Sequence, residues 1–169
     1  MNFSLRAWEL SDRDSLANYA NNEKISANLR NAFPFPYTKS DAEYFLRDCI
    51  EKGSDRQLLL AIVVDGEAVG GVGIFLQEDV YEKSGELGYW LAEPFWGEGI
   101  VTAAVKEICA MVFHRYDIVR IFAEPYARNT ASRRVLEKAG FELEGIKRKS
   151  VFKNGQLLDS CLYALIRES

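Results

Sequence analysis

The residues best suited to chemistry lie between Glu86 and Thr102, in the run Glu-Leu-Gly-Tyr-Trp-Leu-Ala-Glu-Pro-Phe-Trp-Gly-Glu-Gly-Ile-Val-Thr. The pattern reads as a strand, a short glycine-containing loop and the first turn of a helix, without a break. A helix N-terminus leaves its first N–H groups unpaired at the positive end of the helix dipole, so such a loop makes an anion site. Gly97 and Gly99 let a ligand approach main chain that a side chain would otherwise block. The plainer alternative is a tight strand-to-helix turn with no ligand. A dinucleotide fingerprint would need glycine at Thr102, and a Walker loop would need Lys before a Ser or Thr; neither fits.

Around this segment, 169 residues suit one domain, 1–169, long enough to bury roughly two thirds of its unfolded surface. Hydrophobic content of 48% with 27% charged is ordinary for a globular chain. A net charge of −4 gives no field that gathers nucleic acid or anionic lipid. The basic triplet Lys147-Arg148-Lys149 is too short to change that and reads as a solvated strand face. No apolar run approaches the ~18 residues of a membrane span, and the opening residues do not read as a signal peptide. Cys49, Cys109 and Cys161 are odd in number and far apart. They read as reduced core residues, which points to the cytoplasm.

The elements that position the glycine loop follow from periodicity and punctuation. Residues 3–8 alternate as a first strand. Ser11-Asp-Arg-Asp14 has capping-box spacing and predicts a helix to about residue 20; a polar second helix is expected over 22–28. Asn31-Ala-Phe-Pro-Phe-Pro-Tyr37 forbids regular helix, and Thr38-Lys-Ser-Asp41 caps a helix to about residue 52. Residues 57–64 and 68–76 form a hairpin around Asp65-Gly66, with Gly70, Gly71 and Gly73 marking a bulge or close packing, or a ligand contact. A fourth strand covers 86–91 and a helix about 101–113, with Val101, Val105, Ile108 and Val112 on one face. A strand over 118–123, a helix over 130–139 ending at Gly140, and two strands flanking Asn154-Gly155 complete the chain. The order β-α-α-α-β-β-β-α-β-α-β-β is a mixed sheet with helices packed on it.

That order, with the glycine loop after the fourth strand, resembles the GNAT superfamily of acyl-CoA-dependent N-acyltransferases, and within it the ribosomal-protein N-terminal acetyltransferase branch. The resemblance rests on Gly88-Tyr-Trp-Leu91, Trp96-Gly-Glu-Gly-Ile-Val-Thr102, Asn129-Thr-Ala-Ser132 and Leu136-Glu-Lys-Ala-Gly-Phe141, with Lys153-Asn-Gly155 and Asp159. It covers essentially the whole chain and implies an α/β fold, a mixed sheet of about seven strands with helices on both faces. The family's pyrophosphate pattern, Gln/Arg-x-x-Gly-x-Gly/Ala, falls on Trp96, Gly97, Glu98, Gly99, Ile100 and Val101, with Thr102 following. Gly99 matches. Trp96 and Val101 depart from the pattern: Trp is familiar in this branch, and Val is compatible if it points into the core. Glu98 must point outward, or it would repel an anion.

By the same resemblance, the reaction is direct transfer of an acetyl group from acetyl-CoA to an amine, with no metal. The pantetheine arm is expected along strand four near Trp90 and Leu91, where strands four and five splay, and an N–H near Leu91 can polarise the thioester carbonyl. Many relatives place an acidic Tyr where this chain has Leu136. Ser132 is then the candidate to hydrogen-bond the CoA sulfur, and Asn129 to contact the arm; each is equally a plain feature of a capped first turn. Some relatives carry a Glu where Val151 stands here. Glu86 shares the parity of Gly88 and Trp90, so it is either a cleft-facing base or an exposed edge carboxylate. A lysine amine at pKa ~10.4 costs about 4.6 kcal/mol to deprotonate at neutrality, an α-amine at ~7.8 only about 1 kcal/mol. A site without an assured base therefore leans toward α-amines. Cys109 and His114 lie five residues apart on one helix, about 140° of rotation, so they diverge and a covalent cysteine route is disfavoured.

The acceptor is expected between the first two helices and the late hairpin. Phe33, Phe35 and Tyr37 form an aromatic wall there or serve as core. Glu78, Asp79 and Glu82 attract a cationic amine or simply solvate their loop. The first reading is a protein or peptide N-terminal acetyltransferase, monomer or homodimer. The alternatives are an acetyltransferase for a polyamine, amino acid or antibiotic, and a catalytically silent acyl-CoA-binding module.

Overall fold

Runs that can be buried on both faces lose alternation, and Gln57-Leu-Leu-Leu-Ala-Ile-Val-Val64 is such a run. The computed structural model describes residues 2–168. Among them this segment is β2 (Gln57–Val64) of a seven-stranded sheet in the order β1-β2-β3-β4-β5-β7-β6. The other strands are β1 (Ser4–Ala7), β3 (Glu67–Leu76), β4 (Ser84–Leu91), β5 (Arg120–Ala123), β6 (Glu142–Lys153) and β7 (Gln156–Ile166). Every pairing is antiparallel except β4 with β5. Leu58, Leu60, Ile62 and Val64 join the core that holds α4 (Ile100–Arg115), while Ala61 and Val63 join the one under α1 (Arg13–Ala20) and α3 (Lys39–Lys52). Helices thus cover both faces, as a sheet apolar on both sides requires. α2 (Glu23–Ser26) and α5 (Thr130–Lys138) complete the set.

The punctuation works where it is local. Asp65-Gly66 and Asn154-Gly155 both carry paired positive φ angles, 49° and 81°, then 50° and 77°, as two-residue hairpin turns demand. Thr38 and Asp41 form the expected reciprocal cap of α3. The first cap is displaced by two residues. Asp12, not Asp14, accepts a backbone N–H, that of Glu9 at 2.9 Å, within a short 3₁₀ turn (Leu10–Asp12) ahead of α1. Arg6 on β1 holds the same carboxylate, its guanidinium donating to both Asp12 oxygens at 2.8 Å. The glycines of β3 serve close packing: a Cβ on Gly70 would stand 2.6 Å from the Trp90 carbonyl oxygen. All three cysteines are free thiols, and Lys147-Arg148-Lys149 is exposed.

Candidate active site

Strand β4 is the axis of the site. Its parallel pairing with β5 covers only Ser84, Gly85 and Glu86, while pairing with β3 continues to Leu91. From Leu87 onward β4 therefore has a partner on one side only, and the sheet opens between β4 and β5. The Ala92 N–H donates to the Val69 carbonyl at 2.8 Å, which sets the phase of the antiparallel ladder. Gly88 and Trp90 direct their backbone groups toward β3; Tyr89 and Leu91 direct theirs into the opening. Trp96 Nε1–H donates to the Leu91 carbonyl at 2.7 Å. That bond leaves the Leu91 N–H as the free backbone group at this end of the opening.

The glycine loop follows directly. After a 3₁₀ turn at Glu93–Phe95, Gly97 and Gly99 take left-handed φ angles of 80° and 75°, and α4 starts at Ile100. No side chain caps α4, and its first turn carries no acid. The N–H groups of Gly99, Ile100, Val101 and Thr102 are thus left for another acceptor. A Cβ built on Gly97 or Gly99 meets nothing within 4 Å, so space stands over the loop. Ile100 is buried and Val101 packs half-buried against the core, which meets the condition on its bulk. Glu98 is exposed. These residues fit a diphosphate held by main chain at a helix N-terminus.

Across the opening stands the first turn of α5. Asn129 accepts the Ser132 N–H at 3.2 Å and so caps the helix. The Ser132 hydroxyl lies 2.6 Å from the Tyr89 hydroxyl. Burial pushes the Tyr89 phenol up to about 12, the Ser132 hydrogen bond working against that rise. Leu136 is fully buried, and the phenol nearest Ser132 comes from β4 rather than from α5. Sequence reasoning missed Tyr89. The available signal was parity, since Tyr89 alternates with Gly88 and Trp90 and must face the α4 and α5 side.

Glu86 and Trp90 lie on the opposite face of β4. Arg30 Nη2 donates to Glu86 Oε2 at 2.6 Å, so the carboxylate faces a cleft but is already engaged. The Phe33 ring sits 5.6 Å from Trp90 and 5.0 Å from Tyr37. Phe35 is half exposed and stands outside this stack, while Tyr37 is buried core, its phenol pushed up first by burial and then by the Asp41 and Cys49 charges. Of the three expected wall residues, Phe33 is the one that lines the β4 face. The segment carrying it is tied down repeatedly: Tyr126 donates to the Leu29 carbonyl, Arg128 to that of Ala27, and Lys153 Nζ to Asn31 Oδ1. Ser132 and Glu86 do not meet, because they serve different faces of one strand.

Val151 is half-buried on β6 opposite Leu158. Cys109 is buried with its thiol pushed up to about 12 by burial, while His114 is exposed near the end of α4. Glu78, Asp79 and Glu82 lie exposed in their loop. Among the described residues no helix is long and apolar enough to cross a membrane.

The opening between β4 and β5 and the uncapped N-terminus of α4 thus form one continuous cleft. The chain belongs to the GNAT acetyltransferase domain family, whose model matches residues 2–142. It is 35% identical over 117 residues to a Bacillus subtilis (strain 168) protein named Probable N-acetyltransferase YjcK; the match takes in 69% of this chain and 65% of that one, just under two thirds. The ribosomal-protein-S5-alanine acetyltransferase of Vibrio fischeri superposes with a TM-score of 0.85 at 25% identity, covering 98% of this chain and 93% of the other. The microcin C7 self-immunity acetyltransferase, solved with acetyl-CoA and AMP, gives 0.85 and 25% over 98% and 92%.

Proposed function

We propose that this protein is an acetyl-CoA-dependent N-acetyltransferase that moves an acetyl group by direct attack of an amine, the acceptor being a protein or peptide α-amine. The observation that carries the reading is the opening between β4 and β5. It has the uncapped N-terminus of α4 at one end, the Tyr89 backbone groups and the Leu91 N–H along one side, and the Ser132 hydroxyl on the other. In this reading the N–H groups of residues 97–102 hold the diphosphate, Asn129 and β4 guide the pantetheine arm, and the Leu91 N–H meets the thioester carbonyl as negative charge develops there. The amine nitrogen bonds to the carbonyl carbon, the C–S bond breaks, and its electron pair leaves on sulfur beside Ser132. That nitrogen attacks as the neutral amine, its ammonium having first lost one proton to water beside Glu86, and it sheds a second proton as the amide forms.

The α-amine preference rests on Glu86. Its carboxylate already accepts from Arg30 at 2.6 Å, and an α-amine asks for only about 1 kcal/mol of deprotonation at neutrality. The Vibrio relative is named for an alanine of a ribosomal protein, in keeping with that choice. A small-amine acceptor is the second reading, favoured by the Phe33–Trp90 stack, which suits a compact apolar or aromatic body. Residues 1–169 act as one catalytic domain, as a monomer or homodimer. Free thiols, two of them fully buried, suit the reducing cytoplasm.

Calorimetric titration with acetyl-CoA, followed by thiol release over a panel of N-terminal peptides, lysine peptides, polyamines and amino acids, tests the reading. Micromolar binding with turnover on peptide α-amines is expected. Binding without turnover on any amine would establish the silent module instead.

A further inference from the structure

Resting on the acetyl-transfer reading, we propose that Tyr89 is a positioning residue for the leaving group: its phenol donates to the Ser132 oxygen and so turns the Ser132 O–H into the β4–β5 opening, toward the departing sulfur. The two hydroxyls are 2.6 Å apart, whereas the Ser132 carbonyl, the other acceptor within reach of Tyr89, lies at 3.3 Å. The shorter contact is the better hydrogen bond by far. The Tyr89 ring packs against the core and the Ser132 N–H is held by Asn129, so both side chains are anchored on their own elements. A serine in a first helical turn otherwise tends to turn its hydroxyl onto nearby backbone. Once its oxygen has accepted from Tyr89, the one proton it carries is free to point elsewhere.

Tyr89 does not itself surrender a proton. Its phenol is pushed up to about 12 by burial, well above the range of an ordinary thiol, so complete transfer to the thiolate runs uphill. The phenol keeps its proton and acts only through Ser132. The electron pair of the broken C–S bond meets the Ser132 O–H, and the proton that completes the thiol balances the second one the nitrogen sheds as the amide forms, delivered through solvent.

The test uses the full chain, wild type beside Tyr89→Phe, Ser132→Ala and the double variant, with CoA affinity by calorimetry and thiol release on the best amine of the panel. Each single variant should lose about tenfold in kcat, the size of one neutral hydrogen bond. CoA Kd should stay within about twofold, and the double variant should be no worse than either single. A chain with 3-fluorotyrosine in place of Tyr89 has a more acidic phenol and a stronger donor; its kcat should rise. Its ¹⁹F resonance should move when Ser132→Ala is added, a readout independent of turnover. An unchanged kcat in Tyr89→Phe, multiplied losses in the double variant, or a kcat not raised by fluorination overturns the assignment. If Tyr89→Phe fails to fold, the sign of the fluorotyrosine effect decides. A wild type that acetylates while these results fail leaves the function standing; a wild type inert toward every amine overturns both.

Discussion

In the proposed reading, the Arg30 guanidinium on Glu86 occupies the place that a cationic acceptor takes. The pair is 2.6 Å long, with the Glu86 side chain mostly buried and Arg30 largely exposed. An acceptor ammonium must displace Arg30 or share the carboxylate with it. Partly exposed pairs of this kind are worth little net, so the competition amounts to a few-fold in affinity. Arg30→Ala should therefore lower the acceptor KM about two- to fivefold, with kcat unchanged. Glu86→Gln should raise KM for a charged amine and have less effect on a neutral one. Steady-state kinetics at fixed saturating acetyl-CoA read both. A fall of kcat by orders of magnitude in Glu86→Gln, with KM unmoved, would make Glu86 a base rather than an ammonium-binding group.

At the scale of elements, two hydrogen bonds of similar length do different work. Trp96 Nε1–H on the Leu91 carbonyl, at 2.7 Å, ties the glycine loop back to the end of β4. Trp96→Phe keeps most of the ring and drops that donor. We expect CoA Kd to rise up to about tenfold, the range of one hydrogen bond, while thermal stability changes little. The Thr38 hydroxyl on the Asp41 N–H, at 3.1 Å, closes the first turn of α3, on the other side of the sheet from the loop. Thr38→Ala should cost about 1 kcal/mol of stability, read from the urea midpoint, with CoA affinity untouched. Should Trp96→Phe instead unfold the protein and leave affinity intact in the folded fraction, the indole would be a core strut and not a loop anchor.

For the whole molecule, stability should fall away on the alkaline side through groups buried in their neutral form. Burial pushes the Cys49 and Cys109 thiols up to about 12 from an ordinary 9.0, and the Tyr89 phenol to about 12 from 10.0. A raised folded pKa contributes stability that is fully present below the unfolded value and is lost as pH rises toward the folded one. Tm should hold steady through neutrality, begin to fall near pH 9 and drop steeply toward 12. Cys109→Ala should flatten that fall, as scanning calorimetry across the range would record. A Tm that falls no faster above pH 9 in wild type than in the variant would refute it. Asp12 contributes on the acid side: burial works to raise its carboxyl, but the Arg6 hydrogen bonds, the Glu9 N–H and the Arg6 charge hold it below its usual range. Its contribution is present at neutral pH and is lost as pH falls through that lowered value.

What the residues settled by themselves is local. Asp65-Gly66 and Asn154-Gly155 had to be tight turns, Thr38 and Asp41 had to cap, and Gly97 and Gly99 had to open a helix N-terminus, since each is decided by backbone sterics and hydrogen bonds within a few positions. The element order and the β4 parity that separates Glu86 from Leu87 follow from the same short-range rules. Even so, the first cap falls on Asp12 rather than Asp14, and Arg6 donates to that carboxylate, a contact between β1 and the turn before α1 that no local spacing announces. The site's polar pairings belong to the tertiary structure alone: Tyr89 and Ser132 are 43 residues apart in the chain, Arg30 and Glu86 56. Such pairings depend on how far β4 and β5 diverge and on which segment lies over the exposed face. Those are outcomes of packing the whole sheet between its helices, where many small apolar contacts outweigh any single polar preference.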